Sequence, residues 1–305
     1  MKGLELSKAV FEHYQMPMIQ KELPEVIPFL AAGLVGEGSE CFGFDDEISL
    51  DHDGQVRLCI WLGKEAFQKY ENPLRSLFAK LPKEILGREV EALQTRRSGV
   101  FETGSFYEML TGSRDCPVTN KQWMETDETL LAAAVNGEVF LDNDGEFTGI
   151  RNRLLAFYPQ DVFLLKLAKA IAVAAQAGQY NYPRAVKRND PVTADMIRMI
   201  FIDYCTRAVF LLNRTYRPFY KWTYQALLSL PVLGKELHEK TGELLQTPWD
   251  RSEEMIENIS QDLIALMKEQ SLTENGSDFM MDHIADLLTK IQDQTLLKKG
   301  LSLTI

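Results

Sequence analysis

The sequence predicts an α+β fold, with a mixed strand-and-helix domain in residues 1–148 and an all-α helical bundle domain in residues 149–305. The first part mixes glycines with short runs of β-branched and aromatic residues, which are typical of turns and strands. The second part repeats apolar residues at helical spacing, one segment after another. The length of 305 residues also favours two domains, at about 150 residues each.

Helices are expected near the start of the chain and in the middle of the first domain. Residues 4–20 predict a short helix that ends near Pro17, because a proline inside a helix removes a hydrogen bond. Residues 27–34 are apolar and predict a helix or helix end that leads into a cluster of glycines. Residues 64–81 carry apolar side chains at helical spacing, and Pro73 predicts a kink or a division into two helices.

Strands are expected between these helices. Residues 56–62, VRLCIWL, contain β-branched and aromatic side chains without proline or glycine, and they predict a strand. Residues 89–93 and 100–103 predict two shorter strands. Ser105 is predicted to cap the next helix, with Glu108 as its capping-box partner three residues later.

The second domain is predicted to consist of helices. Residues 161–178 are apolar nearly all round, which indicates a helix at the centre of its domain. Arg207 lies in an apolar segment, and an ion pair with Asp203, four residues earlier, explains its charge. Asp250 and Glu253 predict a capping box at the start of another helix. Further helices are predicted over residues 193–213, 216–230 and 278–291.

Composition limits the partners that the chain can have. There are 33 Lys and Arg against 44 Asp and Glu, a net charge of −11 at pH 7. We therefore expect neither nucleic acid nor a membrane surface as a partner. The four cysteines and four histidines lack the spacing of a zinc finger. We expect a cytoplasmic protein, because we find no signal peptide and no apolar run long enough to span a membrane.

Residues 36–53, GEGSECFGFDDEISLDHD, carry the groups with the clearest chemistry. Asp51 and Asp53 precede the predicted strand, and residues two apart on an extended segment point to the same side. Two such carboxylates suit Mg²⁺ bound together with a nucleoside triphosphate (NTP). Gly38 lets backbone N–H groups approach phosphate oxygens, and the Ser39 hydroxyl is a further donor. Two aspartates alone are also typical of a solvated turn, but the neighbouring Gly-Ser pair favours the metal site.

This combination resembles the nucleotidyltransferase superfamily, whose members have the DNA polymerase β-like fold. The superfamily motif is Gly-Ser, a second glycine after a short spacer, and then Ser-Asp-x-Asp on a strand. Gly38 and Ser39 match its first part, and Gly43 matches the second glycine. Asp51 and Asp53 match the acidic end, with one residue inserted between the serine and the first aspartate.

Three later segments resemble a bacterial branch of that superfamily that is catalogued as domain of unknown function 4037. They are NGEVFLDNDGEF (136–147), IRNRLLAFYPQDV (150–162) and RTYRPFYKW (214–222). The resemblance implies that the sheet of the first domain is of the nucleotidyltransferase type. That branch often has an aromatic residue after the second aspartate, whereas this chain has Gly54 there.

The resemblance also implies an activity, namely the transfer of a nucleoside monophosphate (NMP) from an NTP, with ATP expected, to a hydroxyl. Asp51 and Asp53 would hold Mg²⁺ for this reaction. We expect a small-molecule acceptor rather than a polynucleotide because the net charge is negative. Two alternatives stay open: a non-catalytic or regulatory nucleotide-binding protein, and nucleotidylation of a protein or RNA.

The expected site needs a third acid and further cations. Glu102 is predicted as the third acid, as metal ligand or general base, with Glu91 and Asp142 as alternatives. Arg57 and Lys221 are predicted to contact the phosphates. Lys221 is equally explained as a lysine whose stem packs beside the aromatic residues around it.

Overall fold

The computed structural model describes residues 1–49, 55–90 and 95–300, and it describes residues 299 and 300 by their backbone alone. The chain forms two compact units. The first contains Met1–Val118 and Thr126–Ala156, and the second contains Thr119–Glu125 and Phe157–Ile305. A mixed sheet with helices lies in the first unit, and the described part of the second is helical, which confirms the predicted α+β class.

The N-terminal helical region extends beyond its predicted end. Helix α1 (Gly3–Val10) continues through a π-helical turn (Phe11–Gln15) into α2 (Met16–Glu22). Pro17 lies in the first turn of α2. The π-helical turn changes the hydrogen-bond spacing directly before Pro17, since Met16 N donates to the carbonyl oxygen of Phe11, and the helical backbone continues through the proline.

The predicted helix over residues 27–34 is wrong, because most of this segment is a strand. A 3-10 helix (Pro24–Phe29) leads into β1 (Leu30–Leu34), which is buried along its whole length. A strand that is buried on both faces has no alternation of apolar and polar residues, so its pattern resembles that of a buried helix. Pairing with the strands Cys59–Leu62 and Glu138–Asp142 makes residues 30–34 a strand.

The remaining strands of the described chain include two of the three that the sequence predicted. They are β2 (Cys59–Leu62), β3 (Glu84–Ile85), β4 (Arg88–Glu89), β5 (Gly99–Glu102) and β6 (Glu138–Asp142). Strands β3 and β4 form a two-stranded sheet, and the other four form a sheet in the order β5-β2-β1-β6. The strands predicted over 56–62 and 100–103 are confirmed as β2 and β5. The third predicted strand lies partly in residues 91–94, outside the described residues.

The register defines two edges of the four-stranded sheet. Strand β1 is antiparallel to β2 and β6, and β2 is parallel to β5. Strand β1 ends at the edge where the other three strands begin. We name this the Gly–Ser edge, and its residues are Leu34, Cys59, Gly99 and Glu138. The opposite edge is formed by Leu30, Leu62, Glu102 and Asp142.

The helices that follow α2 include the segments predicted for the second half of the chain. In chain order they are α3 (Lys64–Phe78), α4 (Thr103–Thr111), α5 (Asn120–Glu125), α6 (Glu128–Val135), α7 (Glu146–Leu155), α8 (Gln160–Ala174), α9 (Tyr182–Lys187), α10 (Pro191–Leu212), α11 (Tyr220–Leu227), α12 (Gly234–Gln246), α13 (Glu253–Glu269), α14 (Ile284–Thr289) and α15 (Gln294–Gly300). Helix α3 continues through Pro73 as a single helix. Helix α8 is buried over most of its length, as predicted for a central helix, and α10 packs along it.

Two predicted helix caps are wrong. The N-cap of α4 is Glu102, whose carboxylate accepts a hydrogen bond from the backbone N–H of Ser105 at 3.1 Å. Because β5 runs directly into α4, the extended residue at the junction takes the capping position. Helix α13 begins after Ser252 rather than after Asp250.

The predicted ion pair between Asp203 and Arg207 is confirmed in α10. Arg207 Nε lies 3.0 Å from Asp203 Oδ2, and Arg217 Nη1 from the following segment lies 2.5 Å from Asp203 Oδ1. Among the described helices none is long and apolar enough to cross a membrane.

Candidate functional site

The Gly–Ser loop, residues 36–43, leaves the sheet at the Gly–Ser edge, two residues after β1. A 3-10 turn (Glu40–Phe42) follows Ser39, and the backbone N–H of Cys41 donates to the carbonyl oxygen of Gly38 at 3.1 Å. Ser39 is buried, with 2% of its surface exposed. The tight turn therefore places the backbone around Gly38 and Ser39 directly beyond the end of a buried strand.

Glu40 and Arg57 connect the Gly–Ser loop to the segment that enters β2. Glu40 Oε1 lies 2.9 Å from Arg57 Nη1, and neither side chain is more than 5% exposed. The Glu40 carboxylate also packs against Gly38, since a Cβ atom built on Gly38 would lie 2.3 Å from Glu40 Oε1. Of the predicted site residues, the structure thus brings Gly38, Ser39 and Arg57 to the same edge of the sheet.

Asp51 and Asp53, the predicted metal ligands, lie outside the described residues. The described chain resumes two residues after Asp53. Before Asp51 in the chain, Ser49 forms a local turn with Asp46. Asp46 N donates to Ser49 Oγ at 2.8 Å, and Ser49 N donates to Asp46 Oδ1 at 2.9 Å. Within residues 1–49, 55–90 and 95–300, no group of three acidic, histidine or cysteine side chains is placed to hold a metal ion.

Two arginines at the Gly–Ser edge were missed by the sequence analysis. Arg96 Nε lies 2.9 Å from Glu37 Oε2 of the Gly–Ser loop, and Arg97 follows two residues before β5. The carbonyl oxygen of Arg97 accepts from Cys59 Sγ at 3.4 Å, which fixes this backbone against the start of β2. Two adjacent arginines shortly before a strand would have been the signal in the sequence.

The Cys41 thiol of the Gly–Ser loop is a packing group. Burial, followed by the negative charge of Glu40, raises the pKa of Cys41 well above its usual range. A thiol nucleophile needs the deprotonated form. Cys41 is therefore a neutral side chain at pH 7 and supplies no nucleophile to the site.

Glu102, the predicted third acid, lies at the edge opposite the Gly–Ser loop. It is the last residue of β5, and three residues of strand, about 10 Å at 3.3 Å per residue, separate it from Gly99 at the Gly–Ser edge. The structure therefore does not bring Glu102 together with Ser39. Its carboxylate instead caps α4 and forms an ion pair with Arg114.

The electrostatic surroundings of Glu102 stabilise its charged form. Burial raises the pKa of Glu102, but hydrogen bonds from Ser105 and Arg114 and the positive charge of Arg114 outweigh burial and leave the pKa below its usual value. Glu102 is thus a paired carboxylate at neutral pH. Its partners account for its position without any role in catalysis.

Of the two alternatives to Glu102, the structure describes only Asp142. Asp142 lies at the opposite edge, where its carboxylate accepts from the backbone N–H groups of Gly145 at 3.0 Å and Thr148 at 2.7 Å. Glu91 lies outside the described residues.

Lys221, the second predicted cation, lies in the second compact unit on α11. It is exposed, and its Nζ lies 4.9 Å from the centre of the Trp222 ring. Tyr220 beside it is also exposed, at 75%. Lys221 therefore lies at the surface of the unit beside Trp222.

Residues 123–223 match the family described as Domain of unknown function (DUF4037). This match confirms the resemblance that the sequence predicted, and it covers the three later segments but neither the Gly–Ser loop nor the two aspartates. No curated protein matches the chain. Among solved structures, the chain is similar to a nucleotidyltransferase-like protein from Exiguobacterium sibiricum, with 10% sequence identity, coverage of 96% of this chain and 86% of that chain, and a TM-score of 0.39.

Proposed function

We propose that this protein is a Mg²⁺-dependent nucleotidyltransferase that transfers an NMP from an NTP, with ATP expected, to the hydroxyl of a small-molecule acceptor. The observation that carries the proposal is the contact between Arg57 and Glu40. Glu40 directly follows Ser39, and Arg57 lies four residues after Asp53. Four residues after Asp53, the chain is therefore in contact with the loop that carries the Gly-Ser pair.

The donor set of this segment fits a magnesium ion. Asp51 and Asp53 offer two carboxylates, the hard oxygen ligands that Mg²⁺ takes in proteins, and leave coordination positions for phosphate oxygens and water. A bound Mg²⁺ would supply positive charge to the phosphates of the NTP.

Residues of the chain itself would bind the phosphates and accept the proton of the acceptor. Backbone N–H groups of the Gly–Ser loop and the Ser39 hydroxyl donate to the β- and γ-phosphate oxygens. The arginine side chains at the Gly–Ser edge are the proposed sources of further positive charge, and a phosphate contact by Lys221 stays a prediction from the sequence. The acceptor hydroxyl loses its proton to a carboxylate, its oxygen forms a bond to the α-phosphorus, and the bond from that phosphorus to the pyrophosphate oxygen breaks.

A second function, nucleotide binding without transfer, is favoured by the position of Glu102. A general base has to reach the acceptor hydroxyl, and Glu102 is tied to Arg114 and Ser105 at the other edge of the sheet. If no other carboxylate takes its place, the site would bind an NTP and Mg²⁺ without turnover.

Calorimetry with ATP and the other NTPs, with and without Mg²⁺, tests binding, and pyrophosphate release in the presence of hydroxyl-bearing small molecules tests transfer. We expect Mg²⁺-dependent binding that the double substitution Asp51→Asn and Asp53→Asn abolishes. Asp46→Asn is the matched control, because Asp46 is engaged in the local turn with Ser49. Equal affinity in the double variant would remove the metal site, and binding without pyrophosphate release would favour the second function.

A further inference from the structure

The turn after α6 holds the Gly–Ser loop at two points. The side-chain amide of Asn136 forms two hydrogen bonds with Gly36: Gly36 N donates to Asn136 Oδ1 at 3.0 Å, and Asn136 Nδ2 donates to Gly36 O at 2.6 Å. The next residue, Gly137, donates its backbone N–H to the carbonyl oxygen of Cys41 at 2.8 Å. These contacts lie on either side of the Gly-Ser pair, at residues 36 and 41 of the loop.

The turn itself is pressed against the end of β1. Gly137 has a φ of +63°, and a Cβ atom built on it would lie 1.9 Å from the carbonyl oxygen of Leu34. Only glycine accepts this backbone conformation and this approach together. The turn can therefore pack closely against the end of β1, next to the Gly–Ser loop.

Arg151 on α7 supports the turn from its other side. Its Nη2 lies within hydrogen-bond distance of three successive carbonyl oxygens, those of Val135 at 2.6 Å, Asn136 at 3.0 Å and Gly137 at 3.4 Å. The first two are carbonyl groups at the C-terminal end of α6, which have no partner within the helix. The backbone of Asn136 is thus held by Arg151, and its side chain holds Gly36.

We infer that Asn136 is a positioning residue for nucleotide binding: its amide keeps the Gly–Ser loop in the shape that receives the outer phosphates of the NTP. The inference rests on the proposed function, because it assigns the phosphates to this loop. An amide is suited to the task, since it donates to a carbonyl and accepts from an N–H at the same time. Asn136 itself does not touch the nucleotide.

The test compares Asn136→Ala with Asn143→Ala. Asn143 lies just past the other end of β6, where its Nδ2 donates to the carbonyl oxygen of Ile27 at 2.7 Å, so it is a matched asparagine away from the loop. We expect Asn136→Ala to weaken Mg²⁺-dependent ATP binding about tenfold, equivalent to about 1.4 kcal/mol, and AMP binding less than about twofold. Asn143→Ala should leave both affinities unchanged. Asn136→Asp, which replaces the donor with a second carboxylate oxygen that faces the Gly36 carbonyl oxygen, should weaken ATP binding at least as much as Asn136→Ala.

Hydrogen exchange of the backbone amides in residues 36–41 separates the possible failures. We expect faster exchange there in Asn136→Ala than in Asn143→Ala, with or without nucleotide. Unchanged ATP affinity in Asn136→Ala would overturn the inference while the proposed function stands. Absence of ATP binding by the wild-type protein would overturn the proposed function. Faster exchange in Asn136→Ala would then show that Asn136 shapes the loop, but not for nucleotide binding.

Discussion

Arg57 Nη1 lies 2.9 Å from Glu40 Oε1 in an ion pair that solvent hardly reaches. The pair joins the segment that enters β2 to the turn that follows Ser39. A buried charge needs a partner because its hydration is lost. Glu40 therefore already engages the guanidinium of Arg57. A contact between Arg57 and a phosphate stays a prediction and would have to use the other guanidinium nitrogens.

Removing one partner of this pair should destabilise the protein strongly. We expect Arg57→Met to lower the free energy of unfolding by about 3 kcal/mol, because it leaves the Glu40 carboxylate buried without its partner. Lys80→Met is the control, because its ion pair with Glu22 is exposed and is expected to contribute less than about 0.5 kcal/mol. Urea unfolding of both variants measures the difference. Equal losses in the two variants would contradict the role of the buried pair.

Ser39→Ala should weaken binding of ATP more than binding of AMP. The proposed partners of the Ser39 hydroxyl are the outer phosphates, which AMP lacks, and we expect about a tenfold loss of affinity for ATP. Ser7→Ala is the control, because Ser7 is also buried but donates to the carbonyl oxygen of Gly3 within α1. Calorimetry with both nucleotides measures the effect. An equal loss for ATP and AMP would place Ser39 away from the outer phosphates.

Glu102→Gln should reduce stability at neutral pH and have little effect in acid. The pKa of Glu102 is lower in the folded protein than its usual value, so its stabilising contribution is present above the pKa of the unfolded chain, about 4.3 for glutamate. The contribution disappears as the pH falls from there through the lowered pKa of the folded state.

Thermal unfolding of Glu102→Gln between pH 7 and pH 2 measures this dependence. Glu108→Gln is the control, because Glu108 also pairs with Arg114 but is 52% exposed. A stability loss that is the same at all pH values would contradict the charge-based explanation. Activity of Glu102→Gln close to wild type would agree with its place at the opposite edge of the sheet.

Lys221→Met should lower the affinity for ATP or the rate of turnover without changing the fold. Lys221 is exposed, and substitution of an exposed side chain typically changes stability by less than about 0.5 kcal/mol. Lys235→Met, at another exposed lysine of the second unit, is the control. Calorimetry and pyrophosphate release test the pair. Unchanged binding and turnover in Lys221→Met would leave this lysine as a surface residue beside Trp222.

The prediction of the candidate site depended on local motifs. Gly38 and Ser39 were predicted from a short motif, and the structure places them in the loop that follows β1. Asp51 and Asp53, found from the same motif, lie outside the described residues and stay predictions. Arg96 and Asn136 contact the Gly–Ser loop from distant parts of the chain, so the sequence did not assign either residue to the loop, although Asn136 begins the segment 136–147.

The sequence by itself determined the α+β class, strand β2 and the main helices of the second half, because hydrophobic spacing and side-chain type act over a few neighbouring residues. Only the tertiary structure decided that β1 is a strand and that Glu102 and Ser39 lie at opposite edges of the sheet. The order and direction of strands depend on hydrogen bonds between residues far apart in the chain. Such pairing leaves no periodic signal in either segment alone.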